Sequence, residues 1–148
     1  MEQIQTIAFK ALSSTKSESR AEISVRNFKI ETDEPLQLGG TDMSPNPVEY
    51  ILAGVAGCLH ILGYKVAKEQ NITVSDLNIE VVGELNPAKL FGMSDDERAG
   101  YQGIEINMIP TTDATEEQLT VWKETIVRRS PVLDNLFNNT PLQVKFTK

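Results

Sequence analysis

The chain has 148 residues, with 14 basic and 21 acidic side chains and a formal net charge of −7. This length suits one domain with a real hydrophobic core, so we expect a single domain over residues 1–148. The acidic balance argues against nucleic acid or an acidic membrane surface as the main partner. One cysteine forbids an internal disulfide, and the N-terminus lacks the basic and apolar regions of a secretory signal. These features favour a cytoplasmic protein.

The first third of the chain alternates apolar and polar residues, as strands do. We predict one strand over residues 4–12 and a second over residues 20–31, separated by a polar turn over residues 13–19. Asp33-Glu34-Pro35 ends the second strand, because proline cannot donate to a ladder. We interpret residues 36–40 as a short edge strand that runs into a glycine turn.

Residues 46–70 predict the central helix of the fold. Asn46 can cap it, Pro47 takes the first helical position and Glu49 completes a capping box. The middle of the helix carries no charged residue, and a helix that is apolar all round is expected to be buried all round. The uncharged run is shorter than the roughly 20 residues of a bilayer span, so we expect a soluble domain and no membrane partner.

Beyond this helix, apolar alternation predicts a strand over residues 77–84 and another over residues 101–109. Residues 86–99 form the long connection between these two strands. A connection of this length usually covers a site or a partner surface, or is mobile.

An amphipathic helix is predicted over residues 115–129, where three apolar residues share one face. Ser130 ends this helix and can cap a short second helix over residues 132–137. The apolar residues on that face of the amphipathic helix are Leu119, Trp122 and Ile126. After the short helix, a closing strand is predicted from the alternation of Leu142, Val144 and Phe146. The order of elements predicts an α+β fold with a largely antiparallel sheet rather than repeated βαβ units.

Several short motifs resemble the OsmC/Ohr family of osmotically inducible and organic hydroperoxide resistance proteins. The resemblance spans nearly the whole chain in the right order, and the helix motif that contains the cysteine is its specific part. The matching pieces are Asp33-Glu34-Pro35, Leu38-Gly39-Gly40, Asn46-Pro47-Val48-Glu49-Tyr50, Ala53-Gly54-Val55-Ala56-Gly57-Cys58 and Ser130-Pro131-Val132.

This resemblance implies an OsmC-like fold, an intertwined homodimer whose central helices pack in the middle and whose active sites lie at the subunit interface. It also implies that a cysteine on the central helix, here Cys58, attacks organic hydroperoxides. In the family a second cysteine, at the start of a later short helix, resolves the sulfenic acid as a disulfide. Ser130 stands at that position, so the chain resembles a single-cysteine branch.

The family also activates its cysteine with an arginine and a glutamate. Arg20 is the nearest match for the arginine, with Arg26 and Arg98 as alternatives. Val48 stands where the glutamate usually follows the proline, and Glu49 comes one residue later. One residue turns a helical side chain by about 100°. Glu49 is therefore a weaker match than Cys58.

The chemistry of a thiol peroxidase requires a thiolate, which an apolar environment disfavours. Cys58 lies more than two turns into its helix, beyond much help from the helix N-terminus, so it needs a positive neighbour, from Arg20, Arg98 or the other subunit. We therefore expect a one-cysteine peroxidase that reduces small hydrophobic hydroperoxides with an external thiol reductant. The alternatives are a non-catalytic dimer that binds a small apolar ligand at the subunit interface, and a purely structural dimer.

Ordinary structural roles compete with each functional assignment. Cys58 can be core packing, Glu49 a helix cap and Ser130 the cap of the short helix. His60 lies about 200° round the helix from Cys58, which favours a core or interface histidine. Ser130, His60 and Arg98 are nevertheless the candidates for the substrate pocket. Cys58 and His60 make a poor metal site, and we expect no metal or cofactor.

Overall fold

Five β-strands, three α-helices and one short 3₁₀ helix make up the computed structural model, which describes residues 5–147. The chain consists of two units, the first ending at Ile51 and the second beginning at Leu52. The expected single domain therefore stays a prediction. Ile4, the first residue of the first predicted strand, lies outside the described residues.

The first unit contains an antiparallel sheet of β1 (Ala11–Thr15), β2 (Ala21–Val25) and β3 (Phe28–Thr32), in that order. The prediction of one strand over residues 20–31 was wrong. A two-residue turn folds this stretch into a hairpin in which Val25 pairs with Phe28. Arg26 enters the turn with a φ of 56° and places its guanidinium 5.0 Å from the Phe28 ring centroid. The apolar alternation continues through the turn and so hides it.

The first strand begins later than predicted and includes residues 13–15, which the sequence assigned to a turn. Its pairing with β2 starts where Ala11 lies opposite Val25, and β2 ends there. Residues 5–10 therefore have no strand to pair with in the described part of the chain, and they lie outside β1. Ile7 and Phe9 are exposed.

The loop after β3 is organised by Asp33, whose side chain is buried. Burial opposes its ionisation, but hydrogen bonds from Thr41, from the Met43 N–H (3.0 Å) and from the Glu34 N–H (2.8 Å) outweigh this effect. They hold the pKa of Asp33 well below its ordinary value. The Asp33 carboxylate thus accepts the hydrogen bonds of loop N–H groups that have no neighbouring strand to bind among the described residues.

Leu36–Leu38 is a 3₁₀ helix, so the predicted edge strand was wrong. Pro35 and Leu36 accept the backbone hydrogen bonds that tighten this turn. The predicted glycine turn is confirmed, because Gly39 has a φ of 88°. At Gly40 a Cβ atom would lie only 1.9 Å from the Glu34 carbonyl oxygen, which explains why two glycines follow one another.

The central helix, α1 (Pro47–Glu69), confirms the prediction within one residue at each end. Asn46 and Glu49 form the expected capping box, in which the Glu49 N–H donates to Asn46 Oδ1 at 2.9 Å and Glu49 Oε2 accepts from the Asn46 N–H at 2.7 Å. The Tyr50 hydroxyl donates to the Glu31 carbonyl oxygen at 2.7 Å.

Burial of α1 is one-sided, so the prediction of a helix buried all round was wrong for the chain by itself. Its buried residues are Val55, Leu59, Gly63, Val66 and Ala67. Ile61, on another side of the helix, is 69% exposed, and Ile51, near its N-terminus, is 42% exposed. By length and composition α1 is the one described helix that could cross a membrane, but a soluble protein's core helix satisfies the same criterion.

The second unit combines the rest of α1 with an antiparallel ribbon of β4 (Val74–Glu84) and β5 (Gly103–Thr112). Both predicted strands are confirmed, with bounds shifted by a few residues. Two further helices, α2 (Glu116–Arg129) and α3 (Pro131–Phe137), complete the unit. The core that these elements share consists of Val55, Leu59, Val66, Ala67, Ile72, Leu77, Trp122, Ile126 and Leu133.

The helix predicted over residues 115–129 is confirmed, with Thr115 as its N-cap and with Trp122 and Ile126 buried. The closing strand was wrong. Residues 138–147 contain no strand, and the side chains of Leu142, Val144 and Phe146 are each at least 85% exposed. Their alternation fits a strand, but a strand needs a neighbour to pair with, and this segment has none in the described chain.

Candidate functional site

Cys58 is the central residue of α1 and is half-buried. Its sulfur lies 3.2 Å from the hydroxyl oxygen of Ser130, within hydrogen-bonding distance. The two residues are 72 positions apart in the chain, so the packing of the second unit brings them together. The only thiol of the chain thus contacts a hydroxyl group that is almost fully buried.

Ser130 occupies the junction between α2 and α3, where it is both the C-cap of one helix and the N-cap of the other. Its Oγ accepts a hydrogen bond from the Leu133 N–H at 3.2 Å, which confirms the predicted capping role. Pro131 follows at the first position of α3, where its missing N–H has no consequence. The Ser130-Pro131 pair therefore ends one helix, starts the next and aims the serine side chain at α1.

A buried hydrogen bond joins α2 to α1 at Gly63. The Trp122 indole N–H donates to the Gly63 carbonyl oxygen at 2.9 Å in a buried contact. A Cβ atom at position 63 would lie 2.5 Å from a Leu77 methyl carbon and 3.4 Å from the Trp122 ring. A side chain at position 63 would therefore have to displace the Leu77 methyl group. Gly63 lies five residues beyond Cys58, so the contact fixes the part of α1 next to the sulfur.

A second set of contacts fastens the last turns of the same two helices. Arg129 forms a bidentate ion pair with Glu69, and the Gln70 amide donates to Thr125 Oγ1 at 3.2 Å. The hydrogen bonds from Arg129 lower the pKa of Glu69, and the same contact raises the pKa of Arg129. Arg129 immediately precedes Ser130, so this ion pair holds the serine in register with α1.

Sequence reasoning missed the pair of Glu69 and Arg129. By sequence alone, Arg129 is a favourable charge at the helix C-terminus and no more. The partners lie 60 positions apart on different helices, so no helical spacing connects them. A basic residue and an acidic residue at the ends of two long helices were the only signal.

His60 and Arg98 are both exposed. His60 is exposed on α1, and its ring makes an edge-to-face contact with Tyr64, with centroids 5.1 Å apart. Arg98 is exposed in the connection between β4 and β5. Their assignment to the substrate pocket stays a prediction.

Arg20 and Glu49 belong to the first unit, whereas Cys58 belongs to the second. Arg20 Nη2 donates to Glu31 Oε2 at 2.8 Å, but Arg20 Nε is buried and has no hydrogen-bond partner in the described part of the chain. The Glu49 carboxylate is engaged in the helix cap. Activation of Cys58 by either residue stays a prediction.

The donor set of the site suits thiol chemistry. Among residues 5–147 there is no group of three or more His, Cys, Asp or Glu residues that could hold a metal ion. Cys58 offers a nucleophile, and Ser130 offers a hydroxyl that can donate to it or accept from it.

This architecture defines an α+β protein whose central helix is buried on one face and carries a thiol at its midpoint. The sequence profile of the family described as OsmC-like protein matches residues 40–145, so the chain belongs to the OsmC-like family. This confirms the resemblance seen in the sequence. Comparison of the sequence with curated proteins gives no match.

Solved structures confirm the OsmC-like fold. An OsmC-like protein from Mycoplasma pneumoniae is 17% identical, with a TM-score of 0.77 over 90% of this chain and 89% of that chain. An organic hydroperoxide resistance protein from Elizabethkingia anophelis, solved with thiocyanate bound, is 19% identical, with a TM-score of 0.66 over 94% and 93% of the two chains. A putative organic hydroperoxide resistance protein from Vibrio cholerae, with captopril in one active site, is 15% identical, with a TM-score of 0.65 over 94% and 90%.

The contact between Cys58 and Ser130 generates a direct test of the geometry. A Ser130→Cys variant places a second sulfur beside Cys58, and we expect mild oxidation with diamide to join the two as an intramolecular disulfide. Thiol titration and intact mass under denaturing conditions measure the loss of both thiols. A Ser75→Cys variant, with its new thiol exposed on β4, is the control and keeps two free thiols. Two free thiols in both variants would contradict the contact.

Proposed function

We propose that this protein is a one-cysteine thiol peroxidase that reduces organic hydroperoxides in oxidative stress defence. The observation that carries the proposal is the position of Cys58, at the centre of the central helix of an OsmC-like fold and in contact with the head of α3. Two relatives with the same fold are named for organic hydroperoxide resistance, which supports the same class of substrate.

The proposed reaction begins with the Cys58 thiolate. The sulfur attacks the terminal oxygen of the hydroperoxide, an S–O bond forms and the O–O bond breaks. The alkoxide takes up a proton and leaves as an alcohol, and the peroxide is reduced as Cys58 becomes a sulfenic acid. The half-buried position of the cysteine allows a small hydrophobic substrate to approach while limiting access by bulk water.

Return to the thiol requires a reductant from outside the chain, because Ser130 cannot form a disulfide. One molecule of an external thiol attacks the sulfenic sulfur, which gives a mixed disulfide and water. A second thiol then attacks the mixed disulfide and releases Cys58 and the oxidised reductant. Low-molecular-weight thiols are abundant in the cytoplasm, and we place the protein there.

Arg20 is our choice for the cation that activates Cys58. Its buried Nε lacks an acceptor in the described chain, and a buried donor without a partner is costly unless another group completes the site. The alternatives are less suited. Arg26 lies over the Phe28 ring in an exposed turn, and Arg98 is exposed.

A homodimer completes the proposal. The exposed apolar residues of α1 and of residues 142–146 leave more apolar surface uncovered than scattered single residues do. A second copy that packs against α1 would bury Ile51 and Ile61. It would also offer strands for the unpaired segments at both ends of the described chain.

The peroxidase activity predicts that Cys58→Ser abolishes turnover. With dithiothreitol as the reductant, the wild type should consume cumene hydroperoxide well above the rate of dithiothreitol alone, and the variant should not. Consumption is followed by hydroperoxide titration. If the wild type and the variant react equally slowly, the proposal fails. Stabilisation of both proteins by apolar ligands would then favour the ligand-binding alternative.

The activating role of Arg20 predicts that Arg20→Ala lowers the peroxidase rate by about ten- to a hundredfold, the effect of losing one hydrogen bond to a charged group. Arg26→Ala is the matched control and should keep the wild-type rate, because that side chain packs on Phe28. Both rates are measured at saturating dithiothreitol. Equal rates for the two variants would remove Arg20 from the mechanism.

The dimer predicts that Ile61→Asp gives a monomer, because a buried charge would face the partner's apolar surface. Size-exclusion chromatography with light scattering measures the mass. Val121→Asp, at a position 55% exposed on α2, is the matched control and should remain dimeric. A wild type that is monomeric at micromolar concentration would contradict the dimer.

A further inference from the structure

We propose that Ser130 is a positioning residue for this reaction: its hydroxyl donates a hydrogen bond to Cys58 Sγ, favours the thiolate and fixes the direction of the sulfur. The catalytic consequence rests on the proposed function, whereas the hydrogen bond itself does not. Ser130 therefore has a role in the site beyond that of a helix cap.

The direction of this hydrogen bond follows from the surroundings of Ser130. A serine hydroxyl has one proton to donate and two lone pairs that accept. One lone pair accepts from the Leu133 N–H at 3.2 Å. Ser130 is only 1% exposed, so bulk water does not take its proton, and Cys58 Sγ at 3.2 Å is the acceptor that the structure provides.

Ionisation of Cys58 strengthens the contact. In the thiol form either group can donate, but in the thiolate form only the serine carries a proton to share. The bond then becomes charge-assisted, and a hydrogen bond to the charged form of a group favours that form. The Leu133 N–H polarises the hydroxyl from the other side, which increases its strength as a donor.

The hydroxyl has a second consequence after the sulfur is oxidised. A thiol at this position would be consumed by the sulfenic acid, with formation of a disulfide and loss of water. The hydroxyl is inert to the sulfenic acid, so it can donate to the sulfenic oxygen while an external thiol approaches. A serine at this position thus cannot form the internal disulfide, but it remains a hydrogen-bond donor throughout the cycle.

The test is the pH dependence of Cys58 alkylation by iodoacetamide in the reduced full-length protein. We expect Ser130→Ala and Ser130→Gly to shift the midpoint of the alkylation profile upward by about one pH unit. Glycine is nearly as good an N-cap as serine, so Ser130→Gly keeps the fold where alanine weakens it. If the alkylation midpoints of Ser130→Ala and Ser130→Gly agree although the stabilities of the two variants differ, the shift results from the lost hydrogen bond and not from the lost helix cap.

Thr115→Ala is the control, because it removes the cap of α2 without changing the surroundings of the sulfur. It should lose stability and keep the wild-type midpoint. A wild-type midpoint in Ser130→Gly, or an equal shift in Thr115→Ala, would overturn the proposal.

Failure of this inference can be distinguished from failure of the peroxidase proposal, because alkylation requires no hydroperoxide. A shifted midpoint in an inactive protein supports the hydrogen bond and removes the peroxidase. An unshifted midpoint in an active protein removes the role of Ser130 alone. If both proposals hold, the pH profile of peroxidase activity in Ser130→Gly moves upward by the same amount as the alkylation profile.

Discussion

The buried hydrogen bond between α2 and α1 is the constraint on which the site depends. The indole N–H of Trp122 donates to the Gly63 carbonyl oxygen at 2.9 Å, and the absence of a side chain at position 63 leaves room for the Leu77 methyl group of β4. The ion pair of Glu69 and Arg129 fastens the ends of the same helices. Together these contacts hold α2 against α1, and the Ser130-Pro131 pair that ends α2 then lies where Ser130 meets Cys58.

The residue at the head of α3 decides which chemistry the site can complete. A hydroxyl in this position caps the helix, contacts the sulfur and cannot form a disulfide. If Cys58 is oxidised, its recovery depends on a thiol from outside the chain. In the proposed reaction, substrate reduction and regeneration are thereby separated, with Cys58 serving the first step and an external thiol the second.

The sequence predicted the elements whose signals are local and missed those that depend on distant partners. The capping box of Asn46 and Glu49 and the apolar face of α2 were readable because their residues lie within one or two turns of each other. The turn at Arg26 was not, since a positive φ at an arginine has no composition signal. The alternation of Leu142 and Val144 fits a strand, but sequence does not show whether a neighbouring strand exists to pair with it.

The candidate site divides in the same way. The position of Cys58 followed from the helix motif, and its neighbour Ser130 from the family's order of motifs rather than from spacing.

The most direct test of the central claim is mass spectrometry of the protein after brief treatment with an organic hydroperoxide and a sulfenic acid trap. The account predicts a single adduct, located on Cys58 and absent without the hydroperoxide. If Cys58 stays unmodified and the protein consumes no hydroperoxide, the account is contradicted. The cysteine would then serve only in packing.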